Sequence, residues 1–390
     1  MATVVAAVRD AANTLANKQV VDMADVIDLI EPDATPFMVL LKQGIGKRTA
    51  HNWKVQWLTD EPFPYTDTVN GSYTHGGGTL TVDNGSYWRV NDVGVELGNY
   101  QVFRVTAKSG NNLTITEVGS WDSDIADGET LLNLGSAYEA GADYVNPVST
   151  KASVDYNYLQ IQRDTVGATE IWRLTKTYGQ NDWAYQLAKK MASHKRQIER
   201  SLIYSERSYV TTGTHPYGTV RGVHNWISTN ANSSFGAFSW ASLKDEILKV
   251  VKADMSVSPD VVILTTLDVL GYAMQGTESA IRITTGAKVY GLNINTFICP
   301  GLNKPAVLLP HPELSKLSDL SGVAYILAMN PERIKYVRAA GNGISLDTHV
   351  RVNIQDPGET IRIDEIYTAF SLEVHHEKTL AFVAGITAPS

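Results

Sequence analysis

The stretch GQNDWAYQLAKKMASHKRQIERSLIYSERS, Gly179 to Ser208, constrains the fold more than any other. Trp183, Leu187, Met191, Ile198 and Leu202 recur at spacings of four and seven, which sets them in one stripe on a helix. Lys189, Lys190, Lys195, Arg196, Arg200 and Arg207 populate the other faces, with Glu199 and Glu206 among them. Some 28 residues at about 1.5 Å each make a rod of roughly 42 Å, against a mean of about 11 or 12 residues for a globular helix. On this reading Leu187→Asp places a charge on the apolar stripe and prevents soluble folding, whereas Lys190→Ala leaves the fold intact.

The residues ahead of the rod have a different period. In KRTAHNWKVQWLTDEPF, Trp53, Val55 and Trp57 alternate roughly with His51, Lys54 and Gln56, an extended strand that Pro62 and Pro64 end. From residue 66 to about 145 the chain is rich in Gly, Asn, Ser and Thr, with short alternating strands between turns. Leu80 and Val82, Phe103 and Val105, and Leu113 and Ile115 each point one way, and VTAKSGNNLTIT reads as a hairpin. This is a small all-β module. VSTKASVDYNYLQIQRDTVGATEIW then returns as an extended segment able to pair with the strand near Trp53, so that the module sits at the tip of a long two-stranded loop.

Residues 1 to 30 read as an arm, either packed on a neighbouring subunit or frayed as a terminus. Pro32 disfavours helix at Glu31, Pro36 suits a first helical turn, and Thr35 is placed to cap the apolar run Phe37 to Leu41, which ends near Gly44 or Gly46. Beyond the rod, RGVHNWISTNANSSFGAF reads as a loop. SWASLKDEILKVVKADM is an amphipathic helix with Ser239 or Ser242 to cap it. Val261 to Leu264 form a buried strand feeding a helix, and KVYGLNINTFICPG, PAVLLPH and GVAYILAM add strands, which together make an α+β domain with a central sheet. HVRVNIQDPGETIRIDEIYTAFSLEVHHEKTLAFVAGI closes the chain as alternating strand throughout, hinged at QDPGET.

No chemistry-bearing constellation competes with this architecture. A 390-residue chain, 43% hydrophobic and 19% charged, is large enough for two or three domains. Its net charge of -8 argues against a surface that grips nucleic acid and leaves enclosure as the only role beside DNA. Cys299 is the single cysteine, so no intrachain disulfide forms; it reads as a small buried hydrophobe in a protein made in a reducing cytoplasm. The amino end does not read as a signal peptide, and no run approaches the roughly 18 apolar residues of a membrane helix. His375 and His376 beside Glu373 and Glu377 suggest a metal, but adjacent strand residues face opposite ways, and the pair is not expected to chelate. THGGGT and AAGNGIS match no phosphate-binding loop and read as flexible loops. No G-x-S-x-G or H-E-x-x-H motif is present. The expectation is therefore no catalytic, cofactor-binding or metal residue, no cofactor and no enzyme.

The order of segments resembles the major capsid proteins of tailed bacteriophages, of the Hong Kong 97 fold type. The residues that carry it are DLIEPDATPFMVLLKQGIGKRTAHNWKVQWL, VFRVTAKSGNNLTIT, LLNLGSAYEAGAD, KRQIERSLIYSE, RGVHNWIST and IYTAFSLEVHHEKTLAFVAGI. The branch resembled has a β module inserted in the extended loop. The resemblance implies an α+β fold with five parts: an arm and short helix over 1–47, and an extended loop over 48–175 carrying the module at about 66–145. A peripheral domain with a spine helix follows over 176–237, then an axial domain sheet over 238–330, and over 331–390 strands of the peripheral domain that return to the axial domain.

The arms of the loop, 48–65 and 148–172, would lie over a neighbouring subunit. The implied function is a structural shell of pentamers and hexamers around double-stranded DNA, bound without sequence reading. Scaffold, portal and decoration proteins are the implied partners, with no membrane. The implied place is the virion, after synthesis in the bacterial host cytoplasm. The alternative is a phage surface or tail adhesin that binds glycan through the β module, although fibres built of β modules rarely need a long helix.

Overall fold

The computed structural model describes residues 35–142, 149–175, 182–253, 261–275, 283–289, 292–297, 306–315, 322–330 and 333–389. The expected amino-terminal arm and Cys299 lie outside them. The chain divides into two units, one being Leu58–Val154 and the other formed by the residues on either side of it.

Pro36, whose missing N–H would find no partner at a helix start, opens α1 (Pro36–Val39), and a π-turn over Leu40–Ile45 prolongs it. Phe37, Met38, Leu40 and Leu41 are buried. Thr35 stands at the cap position, but its hydroxyl makes no capping bond; the capping oxygens come from another helix, described below. β1 (Lys47–Ala50) follows. In β2 (Lys54–Thr59) Val55, Trp57 and Thr59 point inward and the residues between them outward.

The unit Leu58–Val154 is a six-stranded antiparallel sheet. Its strands are β3 (Thr66–Thr68), β4 (Thr79–Thr81), β5 (Asp92–Glu96), β6 (Val102–Ser109), β7 (Asn112–Val118) and β8 (Thr130–Ser136), in the order β3-β8-β5-β6-β7-β4. Leu80, Val82, Phe103, Val105, Leu113 and Ile115 form its core with Trp88 and Ile125. Gly94 lets the rings close over the sheet: a Cβ there would lie 2.5 Å from Phe103 Cζ and 2.6 Å from Trp88 Cη2.

β9 (Ser153–Tyr158) returns to pair with β2. β10 (Gln160–Thr169) leads into α2 (Glu170–Leu174), and α3 (Asp182–Tyr204) then runs for 23 described residues; it ends at Tyr204, ahead of the expected Ser208, while the expected start at Gly179 lies outside the described residues. Its stripe is also only half covered. Ile198, Leu202 and Ile203 are fully buried, but Trp183, Leu187 and Met191 are not. The early turns meet polar ground instead: the Arg362 guanidinium lies 5.1 Å from the Trp183 ring, and Lys190 Nζ lies 3.0 Å from Asp164 Oδ1.

The segment expected as a loop carries structure. β11 (Ser208–Val210) and β12 (Tyr217–Thr219) pair, and α4 (Val223–Trp226) is pinned by buried Val223 and Trp226. The short strands β13 (Ala231–Asn232) and β14 (Gly236–Ala237) follow. Ser239 Oγ then accepts the Ala241 N–H at 3.3 Å and starts α5 (Trp240–Ala253), whose Leu243, Ile247 and Val250 are buried.

β15 (Val261–Thr265), buried at every residue, leads to α6 (Leu267–Gln275). β16 (Ile283–Val289), β17 (Leu292–Phe297), β18 (Ala306–Pro310), α7 (Pro312–Ser315) and β19 (Ala324–Ala328) come next. The chain ends through β20 (Ile334–Gly341), β21 (Ile344–Ser345), β22 (His349–Arg351), β23 (Ile361–Val374), β24 (Leu380–Val383) and β25 (Ile386–Thr387).

Two sheets organise this unit. The first runs β1-β20-β23-β10, with β21 and β22 alongside, and α3 packs on it; the second runs β13-β24-β19-β15-β18-β17-β16. Three expectations change here. The carboxyl end is not strand throughout, because a 3-10 turn at Glu377–Thr379 interrupts it. β23 does not alternate: Asp364 to Val374 are all buried, since the strand is central in its sheet, with Glu365 met by Arg351 and Ser371 donating to the Tyr158 carbonyl. AAGNGIS is a tight turn with Asn342 at φ 51° and Gly343 at φ 78°, the left-handed pair that a two-residue hairpin requires.

Candidate functional site

Glu199 sits on α3 with no exposure. Its Oε1 accepts the Phe37 N–H at 2.8 Å and its Oε2 the Met38 N–H at 2.7 Å. These are first-turn donors of α1, which no residue of that helix can satisfy. Oε1 also meets His311 Nε2 at 2.9 Å. His311, equally buried between β18 and α7, accepts the Leu314 N–H on Nδ1 at 3.3 Å, which assigns its Nε2 as the donor to Glu199. One carboxylate thus joins three distant segments. Sequence reasoning placed Glu199 among the charges on the faces away from the apolar stripe; its position directly after Ile198, at the margin of that stripe, was the only signal.

A second polar cluster lies where α3 meets its sheet. His194, also without exposure, contacts Asp164 Oδ2 through Nδ1 and Thr368 Oγ1 through Nε2, both at 2.9 Å. Gln162 Nε2 donates to the His194 carbonyl at 3.1 Å. Asn157 ties β9 down by donating to the Leu372 carbonyl at 2.8 Å and accepting the Arg221 N–H at 2.8 Å.

The four residues weighed as a metal site are divided between two tasks. His375 Nε2 contacts Glu373 Oε1 at 2.6 Å, while Glu377 Oε2 accepts the N–H groups of Ser228 and Thr229 at 3.0 and 3.2 Å. His376 turns the chain at φ 58°. Among the described residues no group of three or more His, Cys, Asp or Glu is placed to hold a metal ion. In THGGGT, Glu117 takes the Gly76 N–H at 2.7 Å and the Tyr73 hydroxyl at 2.9 Å, which makes it an ordered turn.

Glu373 is the partner of Arg48 at 2.5 Å and Lys335 at 3.5 Å as well as of His375. Burial alone would raise its carboxyl, but the hydrogen bonds from His375 and Arg48 and the charges of Arg48 and Lys335 together hold it below its usual value. Glu377 is likewise held low: burial pulls upward, and bonds from Thr229 and Ser228 outweigh it. An unfolded carboxylate titrates near pH 4. A value depressed in the fold therefore contributes stability that is present above about pH 4 and is lost as the pH falls through the folded value. The melting temperature is expected to drop as the pH is taken from about 5 to about 3, and Glu373→Gln to shrink that drop. An undiminished drop in the variant would remove Glu373 from the account.

These clusters hold segments together; none sets an acid, a base and a nucleophile around open space. The exposed apolar groups are elsewhere. α2 buries no residue, and Leu58, Phe63 and Tyr65 stand out from the segment that includes the end of β2. Among the described residues no helix is long and apolar enough to cross a membrane.

The profile of the family described as SU10 major capsid protein matches residues 8–387. No curated protein sequence matches the chain. A chain of the capsid of Myoviridae phage XM1 is similar in structure with a TM-score of 0.50 at 13% identity, over 96% of this chain and 99% of that one. A capsid chain of an empty GTA particle, computed with C5 symmetry, gives a TM-score of 0.50 at 9% identity, over 95% and 96%. At such identities the likeness is one of fold.

Proposed function

The chain belongs to the SU10 major capsid protein family, and from that membership we propose that it self-assembles as pentamers and hexamers into an icosahedral shell enclosing double-stranded DNA. The observation that carries the proposal is a family match running through residues 8–387, across both units of the structure.

In this reading α3 is the spine of a peripheral domain, 176–237 with strands from 331–390. Residues 238–330 form the axial domain around the seven-stranded sheet, which β13 and the returning strand β24 join from outside that range. β2 and β9 belong to the arms of an extended loop, and Leu58–Val154 contains the inserted β module. Exposed Leu58, Phe63, Tyr65 and Val154 are large apolar groups with nothing over them in one chain, which supports arms that a neighbouring subunit covers. The net charge of -8 supports enclosure of DNA over gripping it. The role is structural and not enzymatic. Scaffold and portal proteins would guide assembly, decoration proteins would bind the finished shell, and the chain would be made in the host cytoplasm. Nothing found favours the glycan-binding adhesin.

Electron microscopy of the purified protein, alone and co-expressed with a scaffold protein, is the test. Closed shells with five-fold vertices are expected. Dispersed monomers under every assembly condition would overturn the proposal.

A further inference from the structure

β10 carries near its two ends the halves of a contact that one chain cannot close on itself. At its far end α2 presents Ile171 and Leu174, 80% and 83% exposed, with Trp172 beside them. The helix is nonetheless held in place. Thr169 Oγ1 accepts the Trp172 N–H at 3.3 Å, and the Glu170 N–H donates to the Thr360 carbonyl at 3.2 Å.

At the near end Ile161 borders a cleft of 470 Å³. Gln162 and Asp164 face α3, so Ile161 points to the opposite side of the sheet. Small side chains form a row there. Ala369 pairs with Ile161 and Ala339 with Ala50, while the backbone of Leu346 bonds to both Ala339 and Ala369. Three alanines in one row leave the hollow, and Trp53 and Ile344 are among the larger groups that line it. No Lys, Arg, Asp or Glu lines it; His51, Asn52 and Asn342 are its polar residues and the rest of the lining is apolar or glycine, so its chemistry suits a mainly apolar occupant.

We propose that the cleft of one copy receives α2 of a second copy of this chain, with Ile171 and Leu174 entering over the alanine floor. The occupant has to come from another copy. Eight residues separate Ile161 from Thr169, about 26 Å at roughly 3.3 Å per residue, and ten consecutive pairs with β23 keep the strand straight. α2 cannot fold back into its own cleft. The contact is therefore head-to-tail, and repetition of it closes only by forming a ring. The apolar surface of the helix is on the order of 350 Å² per partner, below the roughly 800 Å² of a stable pair. The contact thus adds to others in a ring and does not by itself hold a dimer. It rests on the assembly proposed above.

Leu174→Cys and Ile344→Cys are made in separate full-length chains, each with Cys299→Ser. The two are co-assembled, treated with a short bismaleimide and analysed by denaturing gel and peptide mapping. Linkage of the two variants in mixed shells is expected, with none in shells of either variant alone and none when Tyr100→Cys replaces Ile344→Cys. Intact mixed shells without linkage would overturn the contact. So would linkage in shells of Leu174→Cys alone, which would mean that α2 meets α2. A failure to form shells, seen by microscopy, would defeat the assembly reading and this contact with it, whereas shells without linkage defeat the contact only.

Discussion

Glu199→Ala is expected to destabilise the unit around α3 by about 3–5 kcal/mol, the cost of leaving three buried donors without their acceptor. The magnitude follows from what stays behind. The Phe37 and Met38 N–H groups are backbone and remain, as does the donor of His311, all where Glu199 has no exposure. Each buried donor left unpaired costs about 1–3 kcal/mol. Glu199→Gln keeps the shape but turns an amide nitrogen toward one of the donors, so about half of the loss is expected.

Denaturant melts report the size of the effect, and amide hydrogen exchange reports its place. Phe37 and Met38 are expected to lose protection in Glu199→Ala while the strands of Leu58–Val154 keep theirs. Protection unchanged at both amides would show that α1 is held by its apolar contacts alone.

Leu202→Asp is expected to leave no soluble folded chain, and Leu187→Asp to leave one. Leu202 is fully buried in a core that includes Phe37, Leu41, Ile198 and Phe370. A carboxylate there forfeits about 2 kcal/mol of apolar burial and adds several more for an unpaired charge. That sum approaches the 5–15 kcal/mol total of a typical domain. Leu187 is only partly covered, and a charge there reaches water; a cost within about 1 kcal/mol is expected. Solubility on expression and circular dichroism distinguish the two. Equal behaviour of both variants would mean that the stripe is covered evenly, as its spacing alone suggests. Lys190→Ala removes a half-exposed pair with Asp164 and is expected to be nearly silent.

Both results turn on what lies far away in the chain. Local pattern sufficed where the information is local. The alternation of Val55 and Trp57 in β2, the buried run Val261 to Leu264 in β15, the Ser239 cap of α5 and the β6–β7 hairpin are all set by neighbours within a few residues. The Asn342–Gly343 turn is set just as locally, because a left-handed pair closes so short a hairpin, and it is a tight turn where a flexible loop is expected.

For the cap of α1, Pro36 marks where the helix begins, and local sequence offers Thr35. The oxygens that satisfy its first donors belong to a residue 162 positions away. The stripe on α3 is periodic from Trp183 to Leu202, but periodicity states which side chains share a face and not what that face meets. The capsid family was legible through a resemblance in the order of segments, since periods and turns are local properties of the chain. Which charge is buried, which half of a stripe is covered and which hollow stays open depended on residues brought together from far apart. Only the tertiary structure decides those, because a donor and its acceptor carry no mark of each other until the fold places them within about 3 Å.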